Sequence, residues 1–424
     1  MDRRWTRRRF LAGATALAGG LLYRRDVRAQ LPQGRHAYAV IGRGPMASAA
    51  ARHLAAAAED VVVIGPEERP DGGPVDGAFA SHYDEMRQIE LANDKKLLGQ
   101  LAQASLPGFR RLEQETGIRF IEDNSNLRMG FPAYAEQAWA PIRTVANELS
   151  VEVEELSATE IADRFPHLRF PADALGLYEP GGGIINPRRL VSAQLEAAAR
   201  DRATIVNDVA ARLVRRHGEV IVETRGGRTF RADQVLVATG AFTNQTGLLD
   251  LQLALTLVGH TIVQVEVQPG PHPPMPIVTA VQASDSGPQI LYAMPPRVFP
   301  NGKTYIKGNS YRWSTARTEG RAEDENTDST PGVVNDPSIM VGMLERMIPD
   351  IETRAVSNRP CTTAYTRSGA PYIDRIDDRV GVAVGGNAWG IMTSDEIGRL
   401  AAARMRGEGW SGALEAEVFR AHFI

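Results

Sequence analysis

The chain has 424 residues, of which 43% are hydrophobic and 23% are charged, as is typical of a globular protein rather than a disordered one. Eight arginines and two aspartates give residues 1–30 a charge of +6, and the remainder carries −9, which argues against a nucleic-acid-binding protein. The single cysteine, Cys361, excludes an intrachain disulfide and a metal cluster built from several cysteines.

Residues 1–29 have the features of an export signal. A basic stretch precedes the apolar run Phe10–Tyr23, which is too short for a membrane-spanning helix. Residues 6–11 read Thr-Arg-Arg-Arg-Phe-Leu and are similar to the twin-arginine signal, and Ala29 is a small residue suited to a cleavage site. We expect the twin-arginine translocase to export the protein to a periplasmic or secreted location, with no membrane span in the mature form. An uncleaved basic amphipathic tail is the alternative.

A strand–turn–helix–strand unit follows the signal. Residues 37–41 and Val61–Ile64 are apolar runs of strand type, and the Ala-rich stretch Ser48–Glu59 between them has helical character. The turn at residues 42–47 reads G-x-G-x-x-A, and in this context the motif predicts a dinucleotide-binding unit.

Three residues of this turn are candidate cofactor contacts. Gly42 makes the tight turn, Gly44 lets the backbone approach a pyrophosphate, and Ala47 lets the helix pack closely on the strand. The phosphate charge then lies at the helix N-terminus.

The acid that usually binds the ribose at the end of the second strand is absent. Gly65 stands at that position, and the nearest acids, Glu67 and Glu68, follow Pro66. We expect one of these two, with Glu67 as the candidate, to hold the ribose. Water and backbone contacts are the alternative.

Two further Gly turns decide which nucleotide is bound, since the first motif alone allows NAD(P) or FAD. A buried strand over residues 235–238 ends in an Ala-Thr-Gly turn, and the strand Val380–Val384 leads into a Gly-rich loop and the helix Ser394–Met405. A return strand near the middle of the chain favours FAD, bound by a domain of discontinuous segments. The candidate contacts in these turns are Thr239, Gly240, Gly386, Asn387, Gly390 and Met392.

These pieces resemble the FAD-dependent D-amino-acid oxidase superfamily, nearest the branch of sarcosine, N-methyltryptophan and fructosyl-amine oxidases. Residues 81–87 resemble the Ser-His segment beside the flavin, with an acid one place earlier at Asp84, and Asn186–Leu190 and Ser394–Gly398 match two helix starts. The resemblance spans residues 36–410. It implies an α/β fold with a Rossmann-like FAD-binding domain of discontinuous segments and a mixed-sheet substrate domain.

The resemblance places the FAD-binding domain in residues 36–95, 180–250 and 355–415, and the substrate domain in 96–179 and 251–354. In the latter, leucine spacing predicts a helix over Asp94–Thr116, broken or kinked at Pro107-Gly108. No cluster has metal-ligand spacing, so no metal site is expected. The charged run 315–330 is expected to be a solvated loop. Strands are expected at Ile118–Glu122, Leu127–Met129, Thr256–Val267, Gln289–Met294 and Thr304–Lys307.

Several residues gain candidate roles beside the flavin from the resemblance. Ser81 and His82 lie next to it, and His82 is either a base or a hydrogen-bonded structural residue. Arg87 keeps a structural or flavin-contacting role. Lys307 falls where the branch has a lysine that speeds reaction with oxygen, because a positive charge stabilises negative charge developing on oxygen. Lys303 is the alternative for that role.

Residues 361–374 resemble the segment that carries covalently attached flavin in that branch. The resemblance therefore implies a thioether between Cys361 and FAD, and the alternative is a buried cysteine that packs as a small hydrophobe. Two cationic anchors for a substrate carboxylate are missing, because Met392 replaces a lysine and Glu90 replaces an arginine. Met392 and Trp389 imply a more apolar pocket, open to a larger or less acidic amine, and ordinary core packing of both residues is the alternative.

We therefore expect an exported FAD-dependent amine oxidoreductase. Its substrate is a secondary amine or an N-substituted amino acid derivative, oxidised by hydride transfer to the flavin, and the imine product is hydrolysed. Electrons pass to oxygen or to a periplasmic acceptor. The alternatives are a dehydrogenase that reacts poorly with oxygen, and a non-catalytic flavoprotein partner that has lost its substrate site.

Overall fold

The computed structural model of the chain describes residues 34–69, 80–282, 289–312, 337–411 and 414–424. The expected export signal and the charged run 315–330 lie outside these residues. The helices within them are α1 Pro45–Ala56, α2 Lys96–Thr116, α3 Pro132–Leu149, α4 Ala158–Arg164, α5 Pro187–Arg200, α6 Pro337–Met347 and α7 Ser394–Met405, with 3₁₀ turns at Gly240–Gln245 and Ala416–Phe419.

Twenty strands of the described residues form three sheets. Numbered in chain order, they are β1 Arg35–Ile41, β2 Val61–Gly65, β3 Arg87–Ile89, β4 Ile121–Asp123, β5 Asn126–Gly130, β6 Glu154–Leu156, β7 Leu175–Glu179, β8 Gly183–Ile185, β9 Thr204–Asn207, β10 Ala210–Arg216, β11 Glu219–Thr224, β12 Thr229–Val237, β13 Leu255–Val267, β14 Ile277–Gln282, β15 Gln289–Ala293, β16 Arg297–Val298, β17 Thr304–Arg312, β18 Thr353–Thr366, β19 Tyr372–Arg375 and β20 Val380–Val384.

The first sheet is the expected dinucleotide-binding sheet, in the order β10-β11-β12-β1-β2-β9, with β20 beside β12 and β19 beside β20. Its pairs β1–β12, β1–β2, β2–β9 and β12–β20 are parallel. Parallel sheets need cover on both faces, and strands β2 and β20 are accordingly apolar and buried along their whole length. Helices α1, α5 and α7 cover one face, and Gly398 lets α7 approach α1 so closely that a Cβ there would lie 2.6 Å from Ala50 N.

The second sheet is mixed, in the order β18-β13-β17-β15-β14-β5-β7-β6, with β16 beside β17. Strand β18 pairs along its whole length with β13, so residues 355–366 lie in this sheet and not with the dinucleotide sheet, where the expected boundary at 355 placed them. A small third sheet, β3-β8-β4, joins the two.

Helix α2 is continuous through Pro107, although the sequence predicts a break or kink there. Apolar side chains on both sides of the proline, including Leu101 and Phe109, are fully packed. This burial offsets the hydrogen bond that a proline removes from a helix. At Gly108, an added Cβ would overlap the carboxylate of Asp395, so the glycine allows α2 to contact α7. Helix α2 thus packs on the dinucleotide side of the molecule.

Apolar and polar side chains alternate along the strands of the second sheet, which therefore has an apolar face and a polar face. The apolar face packs on α4 and α6 through residues such as Leu127, Val278, Leu291 and Ile306. Because successive strand residues point to opposite faces, their neighbours form the other face. The register aligns Arg128 with Thr279, Thr279 with Tyr292 and Tyr292 with Asn309 across four strands. The side chains of this polar face include Arg128, Thr279, Tyr292, Lys307, Asn309 and Cys361.

Candidate active site

Three loops converge at the carboxyl edge of the first sheet, where β1, β12 and β20 end side by side. Gly42 has φ +117°, and a Cβ there would overlap the carbonyl oxygen of Ala238. In the last loop, a Cβ on Gly386 would lie 2.8 Å from Gly390 Cα and 3.0 Å from Met46 Cε. These positions need glycine because the loops close on one another, as the sequence motifs predict.

The first loop leaves a helix N-terminus open to an anion. Helix α1 starts at Pro45 with Gly44 as its N-cap, and no side chain caps its free N–H groups. Such N–H groups and the helix dipole favour a phosphate. Ala47 is fully buried against the sheet, as expected. These residues fit the pyrophosphate of a dinucleotide.

Gly65 explains why the usual ribose-binding acid is absent. A Cβ at this position would lie 2.7 Å from both Cβ and N of Arg43, so the first loop packs directly on the bare backbone. Glu67 lies two residues later, with its side chain 60% exposed and 3.5 Å from Arg43. Its backbone N–H donates to Asn207 at 3.0 Å. Glu68 instead pairs with Arg188 and is less exposed, so Glu67 stays the candidate for the ribose contact.

Restoring the acid by Gly65→Asp is therefore expected to damage the fold. The new side chain must displace Arg43, which costs about 3 kcal/mol of unfolding free energy and lowers the FAD content of the purified protein. Thermal denaturation and flavin absorbance measure both effects. Gly181→Asp is the matched control, since a Cβ at Gly181 meets nothing within 4 Å. Tighter FAD binding at unchanged stability would contradict this explanation.

Three other candidate contacts, Thr239, Gly240 and Asn387, lie in these loops. The Thr239 hydroxyl lies 3.0 Å from the Thr243 hydroxyl, and Gly240 has φ +61° at the turn. Asn387 is buried, and its amide bonds the Thr366 N–H at 2.9 Å and the Gly385 carbonyl at 2.8 Å. The Asn387 side chain is thus committed to shaping the loop.

A buried cluster of charges lies on the polar face of the second sheet. Asp84 Oδ2 pairs with Lys307 Nζ at 2.6 Å and also with the guanidinium of Arg87. Lys307 Nζ donates to the Met86 carbonyl as well. Arg87 Nη2 lies 3.8 Å from Cys361 Sγ. We call Asp84, Arg87, Lys307 and Cys361 the flavin-side cluster. Two cations share one carboxylate, which leaves a net charge of +1.

The pKa values in this cluster follow from burial and charge. Burial lowers the pKa of Lys307 to about 8, with Arg87 adding to the decrease and Asp84 opposing it. The two cations hold the pKa of Asp84 at about 2 against the opposing effect of burial. Lys307 is therefore a cation at neutral pH, and its pKa of about 8 means that it loses its proton when the pH rises slightly above neutral. Lys303, the alternative, is more than half exposed and pairs with Glu266 at the surface.

His82 and Ser81 lie between the first loop and the flavin-side cluster. His82 is buried, and its Nδ1 would lie 3.8 Å from a Cβ on Gly44. Burial, with Arg188 and Arg43 nearby, lowers the pKa of His82 to about 3, so the ring is neutral at physiological pH. A ring with this pKa is a weak base, which favours the hydrogen-bonding role. The Ser81 carbonyl accepts from Arg87 at 2.8 Å.

A second buried polar cluster lies around Glu90, directly after β3. Glu90 pairs with Arg128 at 2.5 Å and accepts from Asn93 at 2.7 Å. Glu179 accepts from the Leu91 N–H at 2.7 Å. The Glu90 N–H meets Met392 Sδ at 3.4 Å, which brings together the two positions where the branch's cationic anchors are replaced. We call Glu90, Arg128 and Glu179 the distal cluster.

Burial raises the pKa of Glu90 to about 7, because desolvation and the nearby Glu179 outweigh Arg128. The folded state therefore holds a proton that the unfolded chain has released, and unfolding free energy falls by about 3 kcal/mol as pH rises from 4.5 to 7. Glu90→Gln removes this dependence. We expect the variant to be more stable, relative to the parent, at pH 8 than at pH 5.

Thermal denaturation at both pH values measures this difference. Glu113→Gln is the matched control, because Glu113 is also buried and accepts from the N–H groups of Phe120 and Ile121 at 2.7 and 2.8 Å. This change keeps Oε1 as the acceptor of both N–H groups, but it removes the negative charge and places an amide NH₂ where Oε2 faces Arg110, so it is expected to destabilise at both pH values. A constant difference between Glu90→Gln and the parent would disprove the raised pKa.

Residues 37–404 match the family model described as FAD dependent oxidoreductase. The chain belongs to this family. It is an FAD-dependent oxidoreductase, and the predicted α/β fold and FAD cofactor are confirmed. Within the described residues, no helix is long and apolar enough to cross a membrane, and no group of acidic, His or Cys side chains could hold a metal ion.

The proteins to which this chain is similar include sarcosine oxidases and an amino acid oxidase. Monomeric sarcosine oxidase of Streptomyces avermitilis is 30% identical over 219 residues, which is 51% of this chain and 55% of that protein. Peroxisomal sarcosine oxidase of Homo sapiens is 22% identical over 379 residues, 85% of this chain and 90% of that protein. The structure of NikD, described as an unusual amino acid oxidase, has a TM-score of 0.72 at 21% identity, covering 92% of this chain and 98% of NikD.

Proposed function

We propose that the protein oxidises a secondary amine or an N-substituted amino acid derivative. The observation that carries this proposal is the flavin-side cluster, which lies on the polar sheet face and meets the segment leading from the dinucleotide loops. FAD, when bound, accepts a hydride equivalent from the carbon next to the substrate nitrogen and returns electrons to an acceptor. The imine product is hydrolysed by water.

The chain's own residues supply positioning and charge. The net positive flavin-side cluster stabilises negative charge that develops beside it, in a site from which apolar side chains exclude water. Met86 and Met294 are buried and pack with Ile277 and Tyr305 at this point of the polar face. Tyr292 packs against them, and its phenol lies within electrostatic range of Arg87 and Glu90. Burial raises the pKa of Tyr292, so the phenol stays protonated and can donate to a substrate atom.

An anaerobic mixture of the flavin-loaded enzyme with a panel of amines tests the proposal. Loss of the oxidised flavin absorbance with at least one secondary amine is expected. If no amine bleaches the flavin, the protein is a non-catalytic flavoprotein. Peroxide formed under air is then compared with substrate loss. If peroxide keeps pace, oxygen is the acceptor, and if only a dye is reduced, the enzyme is a dehydrogenase with a periplasmic acceptor.

We further propose that FAD is attached through Cys361. The sulfur faces the polar side of the sheet with Arg87 3.8 Å away, and a guanidinium is the environment in which thiolates act as nucleophiles. Thioether formation from a thiol and a ring methyl group releases two protons and two electrons, which dioxygen takes to give hydrogen peroxide.

Export by the twin-arginine translocase to the periplasm or the outside remains our proposal for location. It is supported by the arginine pair and the short apolar run in residues 1–29. Because that pathway carries folded proteins, FAD would be loaded before export. Cell fractionation tests it: the parent protein is expected outside the cytoplasm, and Arg7→Lys with Arg8→Lys is expected to retain it inside.

A further inference from the structure

The segment from Arg87 to Asn93 lies across the polar face of the second sheet and links the two clusters. Arg87 contacts the flavin-side cluster at its start, and Glu90 pairs with Arg128 further along. The row Arg128, Thr279, Tyr292, Asn309 crosses the same face, and three strand spacings separate its ends by about 14 Å. The row therefore runs from Arg128 of the distal cluster to Asn309, two residues along β17 from Lys307 of the flavin-side cluster, with Tyr292 between them.

The two ends carry opposite charge. The flavin-side cluster has two cations and one carboxylate. The distal cluster has two carboxylates, Glu90 and Glu179, and one cation, Arg128, so its charge is −1 when both acids are ionised. The Arg128 side chain is only 12% exposed, and its Nη2 is engaged by Glu90 and by the Ala92 carbonyl at 3.0 Å. A substrate carboxylate here would be a third acid around one guanidinium, which a buried site disfavours.

One hydrogen-bond donor at the distal end has no protein partner. Arg128 Nη1 is fully buried and bonds to nothing within the described residues. A buried N–H without an acceptor is costly, so a ligand atom that accepts from it gains affinity. Above its pKa of about 7, Glu90 is ionised and balances the guanidinium charge, so the acceptor that suits Arg128 Nη1 is then a neutral oxygen, such as a hydroxyl or carbonyl group.

We propose that the distal cluster selects amines without a carboxylate, whose neutral oxygen accepts a hydrogen bond from Arg128 Nη1. This inference rests on the proposed function, since it names the substrate class of that same site. Glu90 is the specificity-determining residue: its charge cancels that of Arg128, and it stands beside Met392, so no free cation remains to bind a carboxylate.

Ligand binding to the flavin-loaded enzyme tests this without turnover. The probes are (methylthio)acetamide and (methylthio)acetate, which differ only in the neutral or anionic end group and carry sulfur in place of the reactive nitrogen. Titration is carried out at pH 8.5, above the pKa of about 7 of Glu90, and is followed by the change in flavin absorbance. We expect the amide to bind at least tenfold more tightly than the acetate. Equal or tighter binding of the acetate overturns the proposal, and so does a failure of both probes to bind.

Two variants are expected to shift the binding preference from the amide probe towards the acetate probe. Glu90→Gln keeps the size of the side chain and frees the charge of Arg128, and Met392→Lys adds a cation beside Glu90. Each is expected to tighten acetate binding relative to amide binding at least tenfold. Glu113→Gln, a buried acid outside both clusters, is expected to leave the ratio unchanged. An unchanged ratio in both Glu90→Gln and Met392→Lys overturns the proposal.

Turnover separates this inference from the proposed function. N-Methylglycinamide and N-methylglycine are added anaerobically to the parent enzyme. If the carboxylate bleaches the flavin faster, the function stands and the inference fails. If neither amine nor any other in the panel bleaches the flavin while the amide probe binds tightly, the function fails and the binding preference stands.

Discussion

Replacing Lys307 by methionine is expected to slow the reaction of the reduced enzyme with oxygen by about 10²–10³-fold, the usual effect of removing one preorganised electrostatic contact. Lys307 is the cation of the flavin-side cluster that is almost completely buried, at 2% exposure, and water cannot replace its charge. Reduction by substrate does not develop negative charge on oxygen and is expected to change less. Stopped-flow mixing of the reduced enzyme with oxygenated buffer measures the first rate, and anaerobic mixing with amine measures the second.

The pH dependence of the rate of reaction with oxygen tests the same role of Lys307. Because the pKa of Lys307 is lowered to about 8, the lysine is a cation below pH 8 and neutral above it. The oxygen rate of the parent should therefore fall as pH rises through about 8. Lys307→Arg is the matched control, because arginine stays charged over this range and should show no such fall. An oxygen rate independent of pH from 6 to 10 in the parent would exclude Lys307 as the group responsible.

Local sequence was sufficient to predict the cofactor side of the molecule. The G-x-G-x-x-A turn, the Ala-Thr-Gly turn and the last Gly loop are each short segments in which adjacent residues carry the geometry. The close contact between Gly42 and Ala238 shows why the first turn needs glycine, since a Cβ at this position would overlap the carbonyl oxygen of Ala238. The ribose position shows the limit: the sequence showed that the acid was missing, but only the packing of Arg43 on Gly65 explains it.

The partners within the two clusters could not be predicted in the same way. Asp84 and Lys307 are 223 positions apart, and Glu90 and Arg128 are 38 apart, so each pair depends on sheet order and register. The alternation Leu127-Arg128-Met129 does indicate that Arg128 faces away from the apolar core. It does not indicate what lies opposite, so the expectation of an apolar pocket at Met392 and Trp389 did not include the buried charged network at Glu90, whose N–H meets Met392 Sδ.

Cys361 is expected to hold the flavin covalently. When the purified parent protein is precipitated with acid, the yellow colour is expected to stay with the polypeptide, and the intact mass is expected to exceed that of the chain by one FAD. Cys361→Ala is expected to release all of its flavin into the supernatant, because no other cysteine exists in the chain. Thr363→Ala is the matched control, since Thr363 lies two residues along the same face of β18 and should retain the colour.

Arg87 links this result to the rest of the flavin-side cluster. If its guanidinium promotes attack by the sulfur, Arg87→Lys should slow attachment of added FAD to the apoprotein, because a lysine cannot contact Asp84, the Ser81 carbonyl and Cys361 together. The time course of acid-stable colour measures this rate. Free flavin in the supernatant of the parent would disprove the covalent link, but it would leave the roles of Arg87 and Lys307 intact. Those roles depend on where their charges lie and not on a bond to the cofactor.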